Sequence, residues 1–312
     1  ALTVCSVRSY EGPGCTVVHI TTSGPVGFRP FRLNEPDRLV LDLPGVWAAG
    51  SPPVEVHSPS VTQVRLAQFT EGIARAVLDL GEAWAHSWDV SPDGKGIRLT
   101  VASSPVFGRT VVVDPGHGGT DPGAVKDGVY EKDINLDIAL RLRQLLEVSG
   151  ARVVMTRNDD SSVQLSDRSK MANEAAPDAI ISIHCNSTTW DIFPSGTESY
   201  YFNTAPYSQE LAALVHTCVL RELQLIDRKV RRGDYHMVRE TWAPAVLVEV
   251  AFMSNGLDLQ KLRDPEFRQK AATGMLRGLS MYLGSDMFRK WCVELAGTSG
   301  DWRYVGESRS SQ

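Results

Sequence analysis

A chain of 312 residues that is 42% hydrophobic and 22% charged can bury one large core or two ordinary ones, and two domains are expected. No run of about 18 apolar residues occurs, so nothing reads as a membrane span. A formal net charge of −5 without a Lys/Arg-rich block excludes nucleic acid as the main partner.

The chain opens Ala1-Leu2-Thr3-Val4, without the basic and apolar parts of a secretory signal, which is therefore either absent or already removed. From Val4 to about Val101 the pattern is one of short β-rich runs: Thr16–Ile20, Arg38–Leu43, Ala74–Leu80 and Gly96–Val101. Turns such as Glu11-Gly12-Pro13-Gly14 and Pro92-Asp93-Gly94 separate them. Alternation with frequent Gly and Pro breaks, and no helix-period stretch, predicts an all-β sandwich. Cysteine says little here. Cys5, Cys15, Cys185, Cys218 and Cys292 are odd in number and lack C-x-x-C spacing, so at least one thiol is free, and a Cys5–Cys15 bridge in an oxidising space stays open.

After Ser103-Ser104-Pro105 the pattern changes to strands alternating with longer helical stretches. Thr110–Asp114 is short and β-branched and reads as a buried strand, followed by the loop Pro115-Gly116-His117-Gly118-Gly119. Ile138, Leu142, Leu145 and Leu146 form a helical stripe over Lys132–Val148, closed by Gly150. Strands follow at Ala151–Arg157, Ala179–His184, Thr197–Phe202 and Ala245–Phe252, with helices at Ser166–Glu174, Ser208–Gln224 and Pro265–Leu283. This order predicts an α/β domain with a mainly parallel central sheet flanked by helices, whose ligand site lies beyond the carboxyl ends of the strands.

Three strand ends carry polar groups that an apolar core does not tolerate: Asp114 to His117, His184 to Asn186, and Glu249 between Val248 and Val250. Glu131 opens the first helix at the same rim. Two imidazoles and a carboxylate, His117, His184 and Glu131, suit a catalytic zinc, which takes three protein ligands and keeps a place for water. Glu249 sits among apolar residues, where desolvation raises a carboxyl pKa and fits it for general acid/base work. Taken singly, each imidazole also reads as a hydrogen-bonded structural histidine, and Glu131 as a residue favourable to the helix dipole. The glycines of Gly116–Gly123 could cradle phosphate, but the Lys-Ser/Thr of a P-loop is missing.

Across about Arg109 to Leu283 the chain resembles the zinc-dependent N-acetylmuramoyl-L-alanine amidases. The resemblance rests on four ordered blocks: Val112–Gly119; Glu131–Leu136; Arg168 with Ala172-Asn173 and Ser182–Asn186; and Val238–Thr241 with Pro244–Glu249 and Ser254-Asn255. It implies that His117, Glu131 and His184 hold zinc and that Glu249 is the catalytic glutamate. Cys185 stands where many relatives have a small residue, and strand alternation turns it away from the metal. Relatives under divisome control carry an inserted plug helix in the stretch matching about Asn203 to Ala243; here that stretch reads as one helix and a short basic loop, and no plug is expected. The first part, about Val4 to Val101, is similar to the AMIN domain of envelope amidases, through Phe31–Leu33, Asp37–Gly45, Val64–Phe69 and Ala74–Leu80.

Together these resemblances imply a wall-binding sandwich over 1–103, a linker over 104–109, a zinc amidase domain over 110–284 and a tail over 285–312, on which Trp291 and Trp302 could pack. The implied reaction is hydrolysis of the amide between the lactyl group of N-acetylmuramic acid and L-alanine of the stem peptide, with peptidoglycan the partner. The implied place is the periplasm or cell envelope, in wall remodelling or daughter-cell separation. Two rivals differ in class or in bond: a wall-binding protein with a structural metal, and a zinc carboxypeptidase or endopeptidase.

Overall fold

The structure, a computed structural model, describes residues 2–49, 53–189 and 193–288. The tail residues Trp291, Cys292 and Trp302 lie outside the described residues. The chain folds into two compact units that meet in sequence at Phe107 and Gly108. Val106, within the stretch expected as a linker, is fully buried.

Among the described residues the first unit contains ten strands: β1 (Leu2–Gly12), β2 (Cys15–Thr22), β3 (Arg29–Asn34), β4 (Asp37–Pro44), β5 (Val46–Trp47), β6 (Val54–Glu55), β7 (Val61–Thr70), β8 (Ile73–Leu80), β9 (Ala85–Val90) and β10 (Gly96–Ala102). They form two sheets, ordered β5-β1-β2-β10-β9 and β3-β4-β8-β7-β6. Alternate residues such as Val18, Ile20, Leu39, Leu41, Leu78, Ile97 and Leu99 turn inward to one core, which is the period-2 signature of a two-sheet sandwich. The four predicted runs lie in β2, β4, β8 and β10. Strand β3 escaped sequence reading because all six of its residues are exposed and it shows no alternation. The suggested Cys5–Cys15 bridge does not form, since both thiols are free. Cys5 sits at the register shift opposite Thr21 and Thr22, whereas Cys15 pairs with Gly12 at the other end of the hairpin. About 23 Å of strand separates them, far beyond the span of a disulfide.

The second unit runs β11 (Thr110–Pro115), the hairpin β12 (Val125–Lys126) and β13 (Val129–Tyr130), α1 (Glu131–Val148), β14 (Arg152–Met155), α2 (Leu165–Glu174), β15 (Ala179–Asn186), β16 (Thr197–Tyr201), α3 (Ser208–Leu223), β17 (Asp227–Arg232), α4 (His236–Arg239), β18 (Ala245–Phe252), α5 (Gly256–Arg263) and α6 (Pro265–Leu283). The sheet order is β14-β11-β15-β18-β16-β17, parallel throughout except at β16/β18. Of the predicted stripe in α1, Ile138, Leu142 and Leu146 are buried and Leu145 is half-buried, and Ile134 joins the buried face. Helices α1 and α3 pack on one face of the sheet with α6 between them. Helices α2 and α4 close the other face through Ala172, Met237 and Val238, over Val112, Ile180, Ala245 and Leu247. The basic stretch expected as a loop is the edge strand β17 instead, parallel to β16. Its charged residues, five of the six, suit a solvent-facing edge, and Arg228 reaches inward to Glu198.

Candidate functional site

Strand periodicity assembles the site. Asp114 shares the face of Val112, His184 that of Ile180 and Glu249 that of Leu247, so all three turn toward the α2/α4 side at the carboxyl ends of their strands. His184 and Glu249 are direct neighbours across β15/β18, and Glu249 faces Glu198 across β16/β18. Cys185, one position on, is not among the residues that converge. Its backbone N–H donates to Glu131 Oε1 at 3.1 Å.

His117, Glu131 and His184 come together, with ligand atoms all within 4.8 Å of one another. Glu131 Oε1 lies 3.2 Å from His117 Nε2 and 3.1 Å from His184 Nδ1. The two rings stand edge to face, 5.0 Å apart. His117 adopts φ 61°, a left-handed backbone that a non-glycine residue keeps only where its surroundings demand it. Asp121, missed in the sequence, accepts from His117 Nδ1 at 2.7 Å and fixes the ring. The only sequence signal for it was its place four residues on in the glycine-rich loop. Gly116 and Gly123 are needed for close approach: a Cβ at Gly116 would sit 2.1 Å from the His184 ring, and one at Gly123 2.6 Å from Glu131 Oε2.

The electrostatics divide the two glutamates. Burial alone would raise the Glu131 carboxyl, but the hydrogen bonds and charges of His117 and His184 hold it well below the usual range. Burial opposes charge on both rings too, yet Glu131 with Asp121 pushes His117 up to about 9, and Glu131 with Glu249 raises His184. Glu249 is moved the other way. Burial first, outweighing attraction to His184 and helped by repulsion from Glu131 and Glu198, pushes it up to about 7. Its Oε2 is buried without a hydrogen-bond partner among the described residues.

Other buried charges are fully engaged. Asp114 accepts from Arg168 Nη1 (2.9 Å), Thr156 (2.6 Å) and Ser182 (2.6 Å). Arg168 also donates to the carbonyls of Pro115 and His117, so it fixes the loop that presents His117. Glu198 accepts from Asn186 (2.8 Å), Tyr200 (2.7 Å) and Arg228 (2.8 Å). Sequence reading passed over Glu198, a charge on the inner face of a strand between Thr197 and Ser199 that alternation alone could have exposed.

His117, Asp121, Glu131, His184 and Glu249, with Asp114 and Arg168, border an open cleft of about 820 Å³. From the stretch 203–243, Tyr235, His236 and Met237 line it, while α3 packs against the sheet and α6.

Residues 111–281, over half of the chain, match the family model described as N-acetylmuramoyl-L-alanine amidase, and residues 6–101 match that of the AMIN domain. The chain is 36% identical over 194 residues to the uncharacterized protein YqiI of Bacillus subtilis, covering 60% of this chain and 93% of that one. It is 37% identical over 181 residues to the N-acetylmuramoyl-L-alanine amidase LytC of the same organism, covering 57% of this chain but only 36% of LytC. Among solved structures, an N-acetylmuramoyl-L-alanine amidase from Clostridium difficile 630 superposes with a TM-score of 0.55 at 34% identity, over 57% of this chain and 98% of that one. The CwlD amidase of Clostridioides difficile, solved in complex with the GerS lipoprotein, gives 0.55 at 31% identity over 57% of this chain and 100% of that one.

Proposed function

The chain belongs to the N-acetylmuramoyl-L-alanine amidase family and is a peptidoglycan amidase of that type, and on this premise we propose a zinc enzyme in which His117, Glu131 and His184 hold the metal and Glu249 moves the proton. The observation that carries this reading is the pairing of opposites at one cleft: a clustered two-histidine, one-carboxylate donor set beside a buried, unpartnered carboxyl pushed up to about 7. The donor set fits zinc in type and number, and Asp121 on the far nitrogen of His117 supplies the orienting partner such sites use. Zinc bound there would polarise the scissile carbonyl and acidify water.

The rest is done by the chain itself. Glu249, poised near neutrality, accepts a proton from the attacking water and delivers it to the departing nitrogen of L-alanine as the C–N bond breaks. Its unpaired Oε2 leaves it free to do so. The products are the lactyl carboxylate of N-acetylmuramic acid and a stem peptide with a free amine. Tyr235 and Leu165 line the cleft with Glu249. The first unit, matching the AMIN domain, holds the enzyme on the wall, with domains at 1–103 and 110–284, in the periplasm or cell envelope, for wall remodelling or daughter-cell separation. Among the described residues no helix is long and apolar enough to cross a membrane.

The test is digestion of purified peptidoglycan followed by mass analysis. Intact stem peptides with a free L-alanine amine are expected, abolished by a chelator and restored by zinc. Fragments cut within the stem would identify an endopeptidase or carboxypeptidase, and full activity after verified metal removal would end the zinc reading.

A further inference from the structure

Glu198 and Glu249 face each other across β16 and β18. Two carboxyls so placed repel, and the sheet tolerates them because both oxygens of Glu198 meet donors. Its Oε1 accepts from Arg228 Nε at 2.8 Å, and its Oε2 accepts from both Tyr200 Oη at 2.7 Å and Asn186 Nδ2 at 2.8 Å. Arg228 is held in turn over the Phe252 ring, 5.0 Å from its centroid, and Phe252 pairs with Asn186 across β15/β18. Asn186 thus closes a ring of contacts that touches four strands. It lies two residues past His184 on the same face of β15, about 7 Å further along. The register of β15 against β18 shifts between these two residues, and irregularities of this kind re-aim side chains beside active sites.

The amide of Asn186 has one end that donates and one that accepts. A carboxylate oxygen that already takes the Tyr200 hydroxyl offers only an acceptor, so the NH2 end must face Glu198 and chemistry sets the orientation. Asn186 is half-buried and lines the cleft, and its other end, Oδ1, accepts no hydrogen bond among the described residues. An oriented, unpaired acceptor at the carboxyl end of the strand that carries His184 is complementary to a donor on the substrate. The bond to be cut has one, its own N–H. On the reading of this cleft as the amidase site, we propose that Asn186 Oδ1 accepts the N–H of the scissile muramoyl–alanine amide, and that Glu198 is the positioning residue that keeps that oxygen turned to the substrate. Asn186 gives and takes no proton. The nitrogen keeps its own hydrogen, gains one from Glu249 as the C–N bond breaks, and leaves as the amine. Because the nitrogen turns more positive as it takes that proton, the contact strengthens toward the transition state and acts on kcat more than on KM.

The test compares two soluble substrates of the zinc-loaded full chain: an N-acetylmuramoyl-L-alanyl peptide, and the same molecule with oxygen in place of the scissile N–H, an ester with no hydrogen to give. Asn186→Ala should lower kcat on the amide roughly 10- to 100-fold, the size of a hydrogen bond to a group gaining charge, with KM within about threefold. On the ester the same change should alter kcat by less than about threefold, since no contact is lost. Glu198→Gln should show the same amide-only loss. Gln there keeps its oxygen for Arg228 and turns its NH2 to Asn186, whose amide then flips and offers the substrate a donor instead of an acceptor. The ratio of amide to ester rates is taken within each variant, so a reduced folded fraction cancels. Equal losses on amide and ester would overturn the contact and leave Asn186 a structural residue, while the amidase reading stands. An amide-only loss in Asn186→Ala without one in Glu198→Gln would overturn the positioning role of Glu198. A parent that cuts no muramoyl–alanine amide, soluble or in purified wall, removes the amidase reading and this contact with it.

Discussion

The two units place charge in opposite ways. Among the described residues the buried polar side chains of the first unit are hydroxyls alone, Thr16, Thr22, Ser58 and Ser60, and every charge stays toward solvent. The second unit buries Asp114, Glu131, Arg157, Arg168, Glu198, Glu249 and Asp258. A buried charge is tolerated only where it is paired or has a chemical task. Of these seven only Glu249 has a buried carboxylate oxygen without a partner. The contrast teaches that in this protein it is the unsatisfied buried charge, not burial of charge as such, that marks the candidate reacting group.

The sharpest break of that contrast is to remove the unsatisfied charge. Glu249→Gln should lower kcat on purified peptidoglycan roughly 10³-fold, within the range for loss of a general base, with zinc content unchanged by elemental analysis. Retained activity would assign the proton transfer elsewhere. Next comes the satisfied pair. Arg168→Met leaves Asp114 buried without its guanidinium and should cost about 3 kcal/mol in urea unfolding. Since the pair holds Asp114 below the usual carboxylate range, its stabilisation is complete above that range and is lost as pH falls through the depressed value. The variant's stability should therefore fall less steeply in acid than the parent's.

The sign reverses at Glu249, whose folded pKa is raised from 4.5 to about 7. There the folded state binds the extra proton, so stability declines as pH rises between those values. In chelated protein, Glu249→Gln should be more stable to urea unfolding than the parent near pH 8 by up to about 3 kcal/mol, and the gap should close below about pH 4.5. A gap of equal size at both ends would mean that packing, not charge, sets it. The smallest effect belongs to the sandwich. Arg75→Gln, which removes the ion pair with Asp42 and the stacking on Phe69 at 3.3 Å, should cost about 1 kcal/mol or less. A loss of several kcal/mol would place a buried charge in the unit that otherwise has none.

How far the sequence could be read varied with the range of the interaction. Strands β2, β4, β8 and β10 and helices α1, α3 and α6 announced themselves because side-chain period is set locally. Strand β3 did not, since exposure on both faces erases the period, and β17 looked like a basic loop because its charges belong to an edge. His117, Glu131, His184 and Glu249 stood out as polar groups at the ends of apolar runs, and the four blocks supplied a family. Asp121 and Glu198 carried no comparable mark, and Arg168 stood out only as part of the third block.

By itself, then, the sequence determined the order and type of the main elements and the donor types gathered at the strand ends, because both follow from residues close together along the chain. The tertiary structure alone decided that His117, Glu131 and His184 meet, though up to 67 positions apart. It also decided that Glu198 stands beside Glu249. Those facts depend on sheet order and register, and a register is fixed only when distant strands close on a shared core.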